Sequence, residues 1–502
     1  MTVAFHELYH QTARALMPLY ATDLVQAMVD ANLDVATYDW LIHIYGQHPR
    51  PFTLADWLTY YQPNRLEPQW LAKLYEGGHL YEENGGFVLV EQTLKWLRDH
   101  LAADQEALAA IPLPSFELDT LVKRLYYLIN QEVVKAHTRH LAALRPANAA
   151  HPLVKIDHAL TELMTLSAES MDALTAQVFS EEEQAQLRAD FEALLNHLYQ
   201  HIGLKLWSLL RQTHEQFLNL VGKAERMVMS ALGYSPIDVM VLYAAFALDP
   251  PTLEGVIRYY PCHNPEKLRE VWLRLTEHGV IAQQEEHYAL TVTGRDHIRK
   301  LFDGILAVFE TVEGIPQEQI FELHSRLNHV LGAAIDNPEY DTFGAETTRR
   351  LQLPRPHPLG LMMQVVDDLL ALRDDLRRNV WQSLEMTGVQ WEAFWLIANY
   401  GLHSVEQIAG QLKDRGYKAQ DYAQALVALL ERGWLEYHDE KYYLSEDGKR
   451  VCIKMTADID RALGKVWLVL EDALPNTYHA LRTLYYGISK LVKKPVVVPS
   501  VD

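Results

Sequence analysis

A glycine followed eleven residues later by a leucine, with an apolar step after the glycine and a polar tip midway, occurs three times in this chain. The copies run from Gly78-His79-Leu80 to Leu89, from Gly279-Val280-Ile281 to Leu290, and from Gly433-Trp434-Leu435 to Leu444. Glycine adopts left-handed φ at little cost, so it suits the end of a helix. The short run after it, interrupted by a polar tip, reads as a tight antiparallel hairpin. A chain built on such a repeat is constrained to an array of similar small units that share interfaces, rather than one large sheet.

The repeat extends upstream. Apolar helical stretches lie at 37–42, 239–243 and 393–397. Thr53, Thr252 and Ser404 then open a second helix, since a side-chain hydroxyl accepts one of the free N–H groups at a helix start. A third helix is predicted at 67–76, 265–278 and 419–432, with apolar residues at helical spacing such as Leu268, Val271, Trp272 and Leu275. After the hairpins, Leu290-Thr291-Val292-Thr293-Gly294-Arg295 matches Leu444-Ser445-Glu446-Asp447-Gly448-Lys449, whereas Thr93 takes the place of that last glycine in the first copy.

These residues resemble bacterial winged helix-turn-helix regulators, the MarR-like group especially, over roughly 32–100, 230–302 and 386–456. The resemblance implies a mainly α fold with small β-hairpin wings, in which three winged-helix modules are joined by long helices. It further implies a transcription regulator with double-stranded DNA as partner. In that group helices flanking the winged helix form a dimer interface, and clefts beside them hold small aromatic effectors. By this reading the repeats here pack on one another within the chain, and the abundant tryptophans and tyrosines offer an interhelical pocket for such an effector.

A second block repeats outside the hairpins. Phe116-Glu117-Leu118 precedes His151-Pro152-Leu153 much as Phe321-Glu322-Leu323 precedes His357-Pro358-Leu359. Both His-Pro pairs read as helix entries, because proline is favoured in a first helical turn. The expected divisions are an N-terminal helix at 1–21, a first winged helix at 22–110, a helical connector with an insertion at 111–221, a second winged helix at 222–305, a connector at 306–382, a third winged helix at 383–460, and C-terminal helices and tail at 461–502.

Composition bounds the surroundings. The chain has 502 residues, 49% of them hydrophobic, and no apolar run long enough to cross a bilayer. His6, Glu7, His10 and Arg14 interrupt the first stretch, which therefore does not read as a signal peptide. A cytoplasmic protein with no membrane partner is expected, with Cys262 and Cys452 as reduced thiols. The formal net charge of −21 opposes broad attraction to a polyanion, although it allows a local basic face.

The sharpest chemical motif is His6-Glu7-Leu8-Tyr9-His10, which satisfies the HExxH zinc pattern. The repeat offers a better account of it. Phe5-His6-Glu7-Leu8 aligns with Phe116-Glu117-Leu118 and Phe321-Glu322-Leu323, whose copies lack the two histidines, and no third ligand follows at the required spacing. The pairs His137 with His140, and His197 with His201, could each offer two ligands on one helix face; the bland reading is solvated or packed histidines. Asp367-Asp368 and Asp374-Asp375, beside Arg373, Arg377 and Arg378, read as a charged outer helix face, with a carboxylate metal site as the alternative. Neither a phosphate-binding glycine loop nor a nucleophile elbow occurs. No catalytic residue, metal or cofactor is expected, and the chain reads as non-enzymatic.

For DNA, the candidate contacts are Lys267, Arg269 and Arg274 in the second copy and Lys413, Arg415 and Lys418 in the third. Glu266, Glu270 and Glu277 share the second copy's helix, and Glu285-Glu286 and Asp439-Glu440 occupy wing tips that would face phosphates. Two readings follow: a DNA-binding, effector-responsive regulator, or a non-catalytic protein- or ligand-binding scaffold that reuses the winged-helix frame without DNA.

Overall fold

The computed structural model describes residues 3–20, 74, 76–83, 86–111, 118–129, 151–164, 166–284, 287–351, 354 and 356–492. The helices expected at 37–42 and around 53, most of the one at 67–76, and the pair His137 and His140 lie outside the described residues. The described chain is mainly helical, and its strands form three two-stranded antiparallel hairpins. It divides into two compact units, Met1–Ile202 with Glu471–His479, and Gly203–Leu470 with Ala480–Asp502.

In the first unit, α1 (Phe5–Tyr20) packs on α2 (Glu91–Ala109), α4 (Pro152–Leu163) and α5 (Ala168–Val178), and α3 (Leu118–Ile129) packs on α4. The hairpin of β1 (Leu80–Glu83) and β2 (Gly86–Leu89) precedes α2. The fully buried Tyr9 of α1 lies against Phe191, and its hydroxyl is 3.0 Å from Thr175 Oγ1 of α5. Helix α6 (Glu181–Ala231) starts in this unit and runs without a break through the division expected at 221–222. Ser180 and Glu183 form its reciprocal capping box.

The second unit holds two successive hairpin units with one element order. The first comprises α7 (Pro236–Ala247), α8 (Leu253–Tyr259), α9 (Pro265–Glu277), β3 (Ile281–Gln284), β4 (His287–Leu290) and α10 (Val292–Phe309). Then come α11 (Gln317–Ile335), α12 (Phe343–Thr348) and α13 (Pro358–Ser383). The other hairpin unit comprises α14 (Gly388–Tyr400), α15 (Val405–Gln411), a 3-10 turn (Lys413–Arg415), α16 (Ala419–Glu431), β5 (Leu435–His438), β6 (Lys441–Leu444) and α17 (Glu446–Lys465). Helix α18 (Leu474–Val492) closes the described chain.

The three hairpins share one register. Leu80 pairs with Leu89, Ile281 with Leu290, and Leu435 with Leu444. Gly78, Gly279 and Gly433 take φ of 72°, 66° and 72°, the left-handed values that their place after a helix requires. Thr252 and Ser404 cap α8 and α15 through their hydroxyls. Leu268, Val271, Trp272 and Leu275 are buried along α9, so its apolar stripe faces the core as the spacing predicts. His357 does mark a helix entry: its Nδ1 accepts the Leu359 N–H at 3.2 Å, and its ring stacks on Phe309.

Gly294 and Gly448 exist for a steric reason. A Cβ at Gly294 would lie 2.3 Å from the Val280 carbonyl oxygen, and one at Gly448 would lie 1.9 Å from that of Trp434. The same carbonyls accept the N–H of Thr291 and Ser445, which draws the hairpin's base onto the next helix. In the first hairpin His79 receives the corresponding bond from Val90, and the buried Thr93 brings its Oγ1 to 3.3 Å from His79 Nδ1. The first copy's departure from glycine therefore goes with a side-chain contact in place of a bare backbone approach.

Candidate functional site

Helix α13 packs on α11, α12 and α17, and this overturns the expectation of a charged outer face. Asp368, Asp375 and Arg378 are buried, while Asp374 points outward. The residues seven apart share a face, but neighbours on both sides cover that face. Burying charge demands partners. Arg378 pairs with Asp375 at 2.6 Å, and Asp375 Oδ2 accepts the Ala345 N–H at 2.8 Å. A Cβ at Gly344 would come within 2.6 Å of the same carboxylate, which is why the start of α12 carries glycine. Burial pushes the Asp375 carboxyl up to about 7.

One end of this charged row opens into a cavity of about 520 Å³, bounded by α8 and the turn after it, α13, α14 and the 3-10 turn. Tyr259, Tyr260, Trp381, Trp391, Trp395 and Tyr400 supply its aromatic lining. Trp391 and Trp395 stand one helical turn apart on α14, with ring centroids 5.0 Å apart. Both are half-buried, so their faces serve the cavity as well as the core.

The charged lining is unequal. Arg373, Arg377, Arg378 and Arg415 face Asp374, Asp375 and Glu392. Arg373 donates to Asp374 Oδ1 at 2.9 and 3.0 Å, while Arg377 reaches the same oxygen at 3.8 Å. Two guanidinium groups thus share one carboxylate. Burial, and then repulsion from Arg373, lowers the pKa of Arg377. Arg415 donates through Nε and Nη2 to Glu392 Oε1 at 2.9 and 2.8 Å. Glu392 Oε2 is buried and accepts no hydrogen bond. Burial raises the Glu392 pKa despite the neighbouring Arg415. Burial also pushes the Cys262 thiol well up, and burial followed by Arg415 pushes the His263 imidazole down to about 4. Cys262 is thus held as a neutral thiol rather than a nucleophile.

The six residues predicted to meet DNA fall in three settings. Arg274 turns inward to the buried Asp238, with Nε at 3.2 Å, and ties α9 to the start of α7. Burial opposes charge on Asp238, but Arg274 and Ser235 more than offset it, and the carboxyl lies below its usual range. Arg415 lies in the cavity wall, as above. The Lys267 stem lies over Gly416, where a Cβ would meet it at 2.9 Å, and its Nζ pairs with Glu270 at 2.9 Å. Arg269 is exposed and 3.6 Å from Glu266. Lys413 and Lys418 are exposed.

The start of α9 is engaged by the following hairpin unit. Asn264 N–H donates to Arg415 O at 2.8 Å, Asn264 Nδ2 donates to Gly416 O at 3.1 Å, and Tyr417 O–H donates to His263 O at 3.2 Å. A Cβ at Gly388, the first residue of α14, would lie 2.1 Å from Pro261 O. Backbones of the two hairpin units therefore meet directly beside the cavity.

The candidate metal ligands do not converge. His6 Nδ1 is 2.7 Å from Asp172 Oδ2, and its backbone N–H donates to Asp172 Oδ1 at 2.9 Å, so the residue fastens α1 to α5. His10 lies further along α1, its pKa lowered by burial and then Arg14. His197 and His201 meet edge to face, with centroids 4.6 Å apart. Among the described residues, no three histidine, cysteine, aspartate or glutamate side chains form a group that could hold a metal. No single described helix is long and apolar enough to cross a membrane.

The cavity is partly legible in the sequence: Trp381, Trp391 and Trp395 stand at helical positions there, but nothing local associates Arg373, Arg377 and Glu392 with them. The available signal was the placement of Trp391, Glu392 and Trp395 at adjacent helical positions. No family model matches the chain, and no curated protein or solved structure matches it.

Proposed function

We propose that this protein is a non-catalytic ligand-binding protein built on a winged-helix-like frame, and that a small aromatic molecule occupies the cavity between α8, α13 and α14. The frame is supported by the order of three helices, hairpin and helix, with its shared register and left-handed glycines. The observation that carries the ligand reading is the cavity of about 520 Å³, within the usual range for small-molecule sites, with six aromatic side chains and Glu392 among its lining residues.

The same geometry weighs against DNA readout by the second hairpin unit. A recognition helix presents its N-terminal residues to base edges. Here that end of α9 is hydrogen-bonded to residues 415–417, and Arg274 is engaged with Asp238. A DNA-binding regulator remains the second reading because Arg269, Lys413 and Lys418 are exposed.

The test is a panel of small aromatic compounds titrated into the full chain, followed by tryptophan fluorescence and thermal stability. Saturable quenching that Trp395→Leu abolishes supports the ligand reading. The panel leaving both signals unchanged would remove it. A parallel polarisation titration against mixed duplex DNA at about 50 mM salt addresses the second reading, because counterion release favours binding at low salt.

A further inference from the structure

Three chemical features meet in the cavity, and together they specify more than an aromatic ring. Trp391 and Trp395 offer flat faces. Glu392, between them on α14, is a lining residue whose Oε2 is buried and has no donor. Arg373 and Arg377 share a single carboxylate on α13. Resting on the ligand reading above, we propose that the ligand is a nucleoside monophosphate: its base stacks on the α14 tryptophans and donates an N–H to Glu392, and its phosphate lies on the α13 arginines.

Each group selects against simpler ligands. A buried carboxylate oxygen without a donor carries a desolvation penalty that a ligand N–H would relieve. An unsubstituted aromatic acid has no such donor. The rings of purines and pyrimidines combine a π face with N–H groups on one edge, the edge that carboxylates read in nucleic acids. A single ring would also leave much of a 520 Å³ cavity to water.

The charge fits a phosphate. Four arginines against three carboxylates leave one net positive charge when all are ionised. Arginine's planar fork matches phosphate oxygens in pairs, and two forks already converge on Asp374. A phosphate monoester carries about −1.5 to −2 at neutral pH. The raised carboxyl of Asp375 can take up a proton as such a group enters, which brings the lining nearer to neutralising it, while Glu392 stays ionised as the acceptor for the base.

The experiment uses the full chain, with tryptophan fluorescence and calorimetry as readouts. AMP, CMP and GMP are titrated beside their nucleosides, inorganic phosphate and benzoate. The expected result is that a nucleotide binds at least about tenfold tighter than its nucleoside, the gain that charge-assisted phosphate contacts supply. Arg377→Gln, at a partly exposed position, reduces the nucleotide's affinity to that of the nucleoside and leaves the nucleoside unchanged. Equal affinity for nucleotide and nucleoside overturns the proposal, as does an Arg377→Gln protein that keeps the full difference. Benzoate quenching the tryptophans while nucleotides do not also overturns it, but leaves the broader ligand reading standing. Silence from every aromatic compound overturns both.

Discussion

The backbone N–H of Asn264 donates to the backbone carbonyl of Arg415 at 2.8 Å, so the residue that caps α9 is fastened to the residue whose guanidinium lines the cavity. One residue of the later hairpin unit thus faces the ligand site with its side chain and holds the earlier unit with its main chain. Occupancy of the cavity and the setting of α9 are mechanically adjacent.

Asn264→Ala tests that junction. The side chain accepts the Glu266 N–H at 2.9 Å and donates to Gly416 O at 3.1 Å. Its removal takes away an N-cap and one inter-unit bond, with an expected loss of about 1–2 kcal/mol. Chemical denaturation measures the loss. Hydrogen exchange should quicken at 415–417, and unchanged protection there would mean that the junction is held by other contacts.

Arg274→Ala separates structure from recognition. It leaves Asp238, a nearly buried carboxylate, with only its Ser235 contacts. The expected consequence is a lower melting temperature with no specific effect on duplex DNA. A normal melting temperature combined with weakened DNA binding would return Arg274 to the role of phosphate contact.

Gly294→Ala and Gly448→Ala each force a methyl group against a carbonyl oxygen. Overpacking of this kind costs about 1–3 kcal/mol, and the backbone origin of the clash leaves little room for relief. Urea denaturation of the two variants should show both losses. Wild-type stability in either would show that the hairpin base can move aside.

Asp368 should make stability depend on pH. It is 2% exposed, accepts a 2.8 Å hydrogen bond from Gln364, and is raised from 3.8 to about 7 by burial and then by Asp367. A carboxyl raised in the folded state favours folding below its unfolded pKa, and that contribution is lost as pH rises through the folded value. Asp368→Asn keeps an oxygen for Gln364 and removes the titration. Its stability relative to wild type should therefore improve from about pH 4 to pH 7 and stay level above, as linkage requires. A difference that is constant between pH 5 and pH 8 would contradict burial of an ionisable carboxyl.

The sequence by itself determined the local grammar. The left-handed glycines, hydroxyl caps, buried α9 stripe and hairpin registers follow from steric and hydrogen-bonding rules that act within a few residues. The repeat also gave His6 to His10 a reading as a helix start, and His6 lies in the first turn of α1. Only the tertiary structure decided what the charged residues face. Asp374 and Asp375 are neighbours in sequence, yet one is open to water and the other is sealed beneath α12 against Arg378. Arg415 reads in sequence as a phosphate contact, but in the fold its guanidinium is bound by Glu392 of α14. Helical periodicity predicts which residues share a face; the neighbouring elements determine whether that face meets solvent, a carboxylate or a cavity, and those neighbours are distant in the chain.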